Sequence, residues 1–205
     1  MRPKKFSDLE ILQVVRQCLV EQGGTVSTQY IADQVGVSQA TLFKRFGSKS
    51  NLLQMATIIG PQAEKAILFK QKLDQGPTNA PVKEQLRDLC LDMLRLFDEI
   101  LPCFASLHAS GMAFEGPVPE SAPPVQIRKS LTRWVETLQG NGRLRAGIHP
   151  ESVALTIMGA VQHRPLRIHL IRDTNLTQTD EEYIHSIVDV LWMGLTVHED
   201  RGDIG

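Results

Sequence analysis

Ser38, Gln39, Ala40, Thr41 and Lys44 stand together near the start of what reads as a short helix, with Lys49 just beyond. Their chemistry is that of contact, not of bond making. The Gln39 amide can pair with the N6 and N7 edge of adenine, and the methyl groups of Ala40 and Thr41 can meet a thymine methyl. Lys44 and Lys49 suit phosphates, as does the Thr28 hydroxyl at a helix start. Arg45 can do the same or face solvent.

The elements that must position them lie in Thr28 to Phe46, TQYIADQVGVSQATLFKRF. The stretch predicts two short helices joined by a tight turn. Thr28 can cap the first, and Ile31, Ala32 and Val35 give it one apolar face. Gly36 stands where the chain must turn sharply and accepts positive φ. Ser38 can cap the second helix, whose buried side is Leu42, Phe43 and Phe46. Ala32 is small where the two helices cross. This is the spacing of a helix-turn-helix, whose second helix enters the DNA major groove. Ahead of it, Ser7 and Glu10 form a capping box, and Leu9, Ile11, Leu12, Val15, Cys18 and Leu19 repeat at helical spacing up to Gly23-Gly24. The first six residues are a short basic arm that could add phosphate contacts or remain a solvated tail.

The run Ile31-Ala32, Gly36-Val37-Ser38, Thr41-Leu42-Phe43, Phe46, Lys49 and Leu52-Leu53 resembles the N-terminal domain of the tetracycline-repressor (TetR) family, over roughly residues 7 to 56. The resemblance implies a DNA-binding head, a fourth helix that couples it to a helical ligand domain, and release from DNA on ligand binding. One departure stands out. The family usually has Tyr where this chain has Phe43, which keeps the packing and loses a hydroxyl that commonly reaches a phosphate.

Charge follows the same division. The chain carries a net charge of −1, but residues 1–54 have a surplus of three positive charges and the remainder a surplus of four negative ones. A basic head on an acidic body suits a protein that touches DNA with one end. No apolar run is long enough to span a bilayer, and the basic N-terminus leads into no apolar signal core, so a cytoplasmic protein is expected. Cys18, Cys90 and Cys103 form no CxxC pair and read as buried thiols; a redox sensor is the alternative.

Beyond the head, Pro61 predicts a kink or break after the fourth helix. A long helix from Val82 to about Leu101 follows, then a short one past Pro102. A loop runs from Gly111 to Pro124, a helix from Val125 to Gln139, and another from Pro150, interrupted at Pro165. The last is capped by Thr179 with Glu182. Its apolar residues cover a wide arc, so it needs a partner outside its own core. We expect a homodimer seam built from Ile157, Val161, Ile184, Ile187, Val188 and Leu191. Met93, Phe97, Phe104, Leu107, His108, Met112, Trp134 and Met158 offer the soft sulfur and aromatic groups of an apolar small-molecule pocket.

Enzyme chemistry finds little support. The histidines are scattered, no HExxH, phosphate loop or GxSxG occurs, and Cys103 with His108 is only a loose pair for a metal. Arg164, Arg167 and Arg172 read as a solvated or dimer-edge face.

The expectation is therefore an all-α chain of about nine helices. It has a helix-turn-helix domain at 1–50 and a helical ligand-binding and dimerisation domain at 51–205. It would bind a palindromic double-stranded DNA operator as a homodimer, be released by an apolar small molecule, act as a repressor, use no cofactor or metal, and not be an enzyme. Two alternatives remain open: a DNA-binding regulator without a small-molecule ligand, and a helical protein-interaction domain.

Overall fold

The computed structural model describes residues 6–59, 62–111, 120, 122–173 and 175–196, with the backbone alone at Ile59, Gln62 and Ala63. Among these residues the regular structure is entirely helical. In chain order the α-helices are α1 Asp8–Gln22, α2 Thr28–Val35, α3 Gln39–Phe46, α4 Lys49–Ile59, α5 Gln62–Asp74, α6 Val82–Ala109, α7 Pro123–Gly140, α8 Pro150–Leu166 and α9 Asp180–Leu195.

The head is set by local chemistry. Ser7 accepts from the Glu10 amide while the Glu10 carboxylate accepts from the Ser7 amide, which fixes the first turn of α1. Ile11, Leu12, Val15, Cys18 and Leu19 face inward; Leu9 does not, and is exposed. The cap of α2 is Ser27, whose hydroxyl accepts from the Tyr30 amide at 3.1 Å, so Thr28 is the first helical residue and not the cap. Gly36 ends α2 at φ 78°, and the chain reverses into α3 within two residues.

Two apolar cores result. The first joins α1 to α4, from Ile11 to Ala56, and is completed by Cys103 and Leu107 of α6. The head's core therefore runs past residue 50 and borrows from the body. The second gathers α5 to α9 around Met93, Leu94, Leu131, Trp134, Ile157, Ile184 and Val188.

The prolines inside helices act differently from expectation. Pro102 does not divide α6: the helix runs unbroken for 28 residues with Pro102 inside it. The missing N–H at Pro102 leaves the Asp98 carbonyl, four residues back, without its helical donor, and side chains from elsewhere contact this same turn. Arg16 of α1 donates to the Glu99 carbonyl, and His169 makes a 3.1 Å hydrogen bond to the Asp98 carboxylate. Pro165 likewise lies within α8, which opens into a π-helical turn at Arg167–Ile171 instead of stopping. The turn ends at Arg172, in the left-handed conformation at φ 58°. Pro61 lies outside the described residues; α4 and α5 are separate helices on either side of it.

Arg164 at the end of α8 and Arg167 just beyond it are structural, while Arg172 is exposed. Arg164 is buried, donates to Asp180 at 2.7 Å and to the Gln178 carbonyl at 2.7 Å, and lies 5.4 Å from the Tyr183 ring centre. Arg167 pairs with Asp173. Arg164 ties the end of α8 to the start of α9, and Arg167 ties the π-helical turn to the loop after it, so these two are not a solvated face.

Candidate nucleic-acid interface and apolar cavity

The recognition helix is α3. Ser38 caps it, accepting from the Thr41 amide at 3.2 Å, and the Ser38 and Thr41 hydroxyls share a 2.9 Å hydrogen bond. That engages the Thr41 hydroxyl at the cap and leaves its methyl group uncommitted. Leu42 and Phe46 anchor the inner side of α3. Ala40 and Lys44 are exposed, Gln39 and Thr41 half-buried. Phe43 is 39% exposed, so it belongs to the outer face and not to the buried side expected for it. An aromatic ring there is a contact surface without a hydrogen bond to give.

Thr28 opens α2 and Lys49 opens α4, each behind a serine cap: the Ser48 hydroxyl accepts from the Asn51 amide at 3.0 Å. Helix N-termini carry partial positive charge, so both places favour an anion. Gln39, Lys44 and Lys49 make no hydrogen bond or ion pair with another side chain among the described residues. Arg45 differs. Its Nε pairs with Asp8 at 2.9 Å and its guanidinium donates to the Phe6 carbonyl at 2.8 Å.

The second feature is a cavity of about 160 Å³ between α4, α5, α6, α7 and α8. Met93, Phe97, Phe104 and Met158 line it, as expected. The other expected residues do not. Leu107 is packed in the head's core, because the continuous α6 turns it toward α1. Trp134 is buried in the body's core. His108 is exposed and borders a separate open groove with Pro102, His169 and Arg172. Met112 lies outside the described residues. Sequence reasoning missed Thr57 and Gln162, the polar side chains of the cavity. Gln162 was legible as the i+4 neighbour of Met158 on α8. Thr57 is buried and donates to the Leu53 carbonyl at 2.9 Å, which a sequence does not reveal.

The expected dimer seam needs correction. Ile157, Val161, Ile184 and Val188 are fully inside the chain's own core and cannot reach a second copy. Ile187 and Leu191 are half-buried at its margin. The apolar residues that α8 and α9 leave outside are Leu155, Val190 and Met193, with Gly159 and Gly194 also exposed. Period 3.6 put both sets on apolar arcs, and only packing decides which arc is inside.

No helix among the described residues is long and apolar enough to cross a membrane, and no group of three or more histidine, cysteine or acidic residues is placed to hold a metal ion.

Residues 11–56 match the sequence pattern of the bacterial regulatory proteins, tetR family. No curated protein matches the chain in sequence. Solved structures share the whole fold. One, from Mesorhizobium loti MAFF303099 and assigned to the TetR-family transcriptional regulators, is 16% identical with a TM-score of 0.69, covering 93% of this chain and 96% of that one. A TetR family transcriptional regulator from Pseudomonas syringae pv. tomato is 17% identical with a TM-score of 0.61, covering 92% and 96%. The flavonoid-responsive regulator FrrA is 20% identical with a TM-score of 0.58, covering 91% and 95%. At these identities the likeness is one of fold.

Proposed function

We propose that this chain, whose residues 11–56 match the bacterial regulatory proteins, tetR family, is a homodimeric transcriptional repressor that leaves its operator when an apolar small molecule fills the body. The observation that carries the reading is the outer face of α3, where Gln39, Ala40 and Lys44 stand beside the Ser38 cap with no other task in the fold.

Gln39, Ala40 and Thr41 read base edges in the major groove. Phe43 packs on the duplex, and Lys44, Lys49 and the Thr28 hydroxyl hold phosphates. One head offers few contacts, so two are needed, on half-sites about 34 Å or a multiple apart. We place the second copy against α8 and α9, with Leu155, Ile187, Val190 and Leu191 in the seam. The head is residues 1 to about 50 with the start of α4, and the rest is the regulatory body.

The effector site is the cavity lined by Met93, Phe97, Phe104 and Met158, with Gln162 to orient a polar group. At about 160 Å³ it has room for a molecule about the size of benzene, and a larger ligand must widen it. Widening is the switch: the same stretch of α6 that carries Phe104 into the cavity carries Cys103 and Leu107 into the head. A ligand that binds the widened conformer better by about 1–3 kcal/mol shifts the population away from the DNA-bound spacing. FrrA is named for its response to flavonoids, which puts apolar aromatic compounds first among effectors to try.

The test is fluorescence anisotropy of the full chain with DNA from immediately upstream of its own gene, at two salt concentrations, against unrelated DNA. Saturable binding that prefers its own DNA supports a specific regulator, and release by compounds then identifies the effector. Equal binding to both, falling steeply with salt, would reduce the reading to a basic head.

A further inference from the structure

The cavity among α4 to α8 is apolar with two exceptions. Among the described residues, Thr57 of α4 and Gln162 of α8 are the lining side chains that carry oxygen or nitrogen, and no acidic, basic or histidine side chain lines it. Their hydrogen-bonding states differ. The Thr57 hydroxyl is buried and donates its proton to the Leu53 carbonyl at 2.9 Å. A hydroxyl has one proton and two lone pairs, so Thr57 is spent as a donor and open as an acceptor. It accepts from no other group among the described residues. Gln162 is half-buried and makes no hydrogen bond with a described residue, which leaves its amide free to donate and to accept.

We propose that the cavity selects an uncharged effector that carries a hydroxyl donor on an aromatic or other apolar frame, and that Thr57 accepts from that hydroxyl. The inference rests on the effector-site reading above and narrows it. The lining excludes charge. An ionised carboxylate or ammonium would leave water with no partner of opposite sign, at far greater cost than a neutral hydroxyl that finds a bond. The committed Thr57 proton excludes a pure acceptor at that oxygen: an ether or ketone would set lone pair against lone pair. Gln162 suits a second polar group of either kind. Size agrees, because about 160 Å³ holds one six-membered aromatic ring. Position gives the selection a consequence. Thr57 follows Ala56 and bonds to Leu53, both in the head's core, whereas Gln162 follows Val161 in the body's core. An effector held by both spans the two.

The experiment measures dissociation constants by calorimetric titration of the full chain with phenol, toluene and benzoate at neutral pH. The variants are Thr57→Val, which keeps the shape and removes the oxygen, and Thr57→Ser, which keeps the hydroxyl. Phenol binds the unaltered chain, and Thr57→Val weakens it about three- to tenfold, the worth of one neutral hydrogen bond. Toluene binds Thr57→Val no more weakly than the unaltered chain, because it asks nothing of the oxygen. Thr57→Ser restores the ratio of the phenol and toluene constants. Benzoate does not bind, a comparison that needs no variant. Thermal melts establish that each variant is folded. A threonine that bonds back onto its own helix is ordinary, and a purely structural Thr57 would not separate phenol from toluene.

Equal losses for phenol and toluene in Thr57→Val overturn the inference. So do phenol affinity indifferent to that change, toluene bound with phenol refused, or benzoate bound as tightly as phenol. Each of these leaves the effector cavity standing, because an uncharged aromatic still occupies it. Failure of both phenol and toluene to bind the unaltered chain would overturn the cavity reading as well.

Discussion

Arg16 of α1 donates to the main-chain carbonyl of Glu99, three residues before Pro102 in α6. A side chain of the head thus ends on a helical turn that a proline has disturbed in the body. Further along α6, the Ser106 hydroxyl donates to the Leu19 carbonyl at 3.2 Å, so the two helices are bonded in both directions. We expect Arg16→Ala to lower stability by about 1.5–3 kcal/mol, the range for a hydrogen bond from a charged donor. Urea unfolding at unchanged m-value checks it. A midpoint equal to that of the unaltered chain would show that the bond contributes nothing net.

Met93 is fully buried and lines the cavity. Met93→Ala should cost about 2–5 kcal/mol, because the enlarged void collapses only partly. Small apolar aromatics such as toluene should then raise the melting temperature of the variant more than that of the unaltered chain. Equal shifts in the two would mean that the cavity does not accept ligands of this class.

The proposed seam separates two kinds of apolar residue on α8 and α9. Val190→Glu, on the outside, should leave the fold intact and shift the mass seen by light scattering from dimer toward monomer. Ile184→Glu, inside, should unfold the chain, since burying an unpaired carboxylate is far costlier than burying a methyl group. A folded dimer carrying Val190→Glu would move the interface elsewhere.

Asp74 closes α5 onto α7. Its carboxyl is held below the usual range, first by the hydrogen bond from Lys70, then by that from Ser130 at 2.6 Å, with the charges of Lys70 and Arg133 adding to it. The folded value is depressed, so this stability is fully present above the unfolded value near 3.9 and is lost as pH falls through the folded one. At neutral pH Asp74→Asn should cost about 1 kcal/mol, modest because the group is partly solvated. That difference should vanish in strong acid. A difference that persists there would have to come from shape instead of charge.

All three cysteines are buried, and burial raises each thiol, that of Cys90 to about 12. A buried thiol kept protonated is a poor nucleophile. None should react with Ellman's reagent in the native protein, and all three should react in denaturant. Fast reaction of even one native thiol would revive the redox-sensor alternative.

The head was legible because its information is local. Ser7 with Glu10, the Gly36 turn and the Ser38 cap are each written within a few residues, and so is the capping box of Thr179 with Glu182 at α9. Ser27 took the place of Thr28 because adjacent hydroxyl residues both satisfy the capping rule and the backbone chooses one. The body was harder. Pro102 and Pro165 read as starts, kinks or interruptions because proline's local cost is written in the sequence, whereas the packing that lets both helices run on through them is not. Arg164 read as solvated because its acceptors, Asp180 and the Gln178 carbonyl, lie across a loop. Three of the eight expected cavity residues and four of the six expected seam residues lie elsewhere for the same reason. Apolar side chains at helical spacing announce that a face is covered, not what covers it.

Cys103 and Leu107 complete a core that otherwise belongs to the first four helices. The helix-turn-helix part of this chain is therefore not a detachable cassette. Severed after α4 it would keep its caps and its turn but expose an apolar hole. Grafting it onto another regulator's body would succeed only where the recipient presents a matching small-and-branched pair on its own sixth helix. Exchange of specificities among such proteins is then a matter of transplanting a patch of the receiving scaffold along with the reading head.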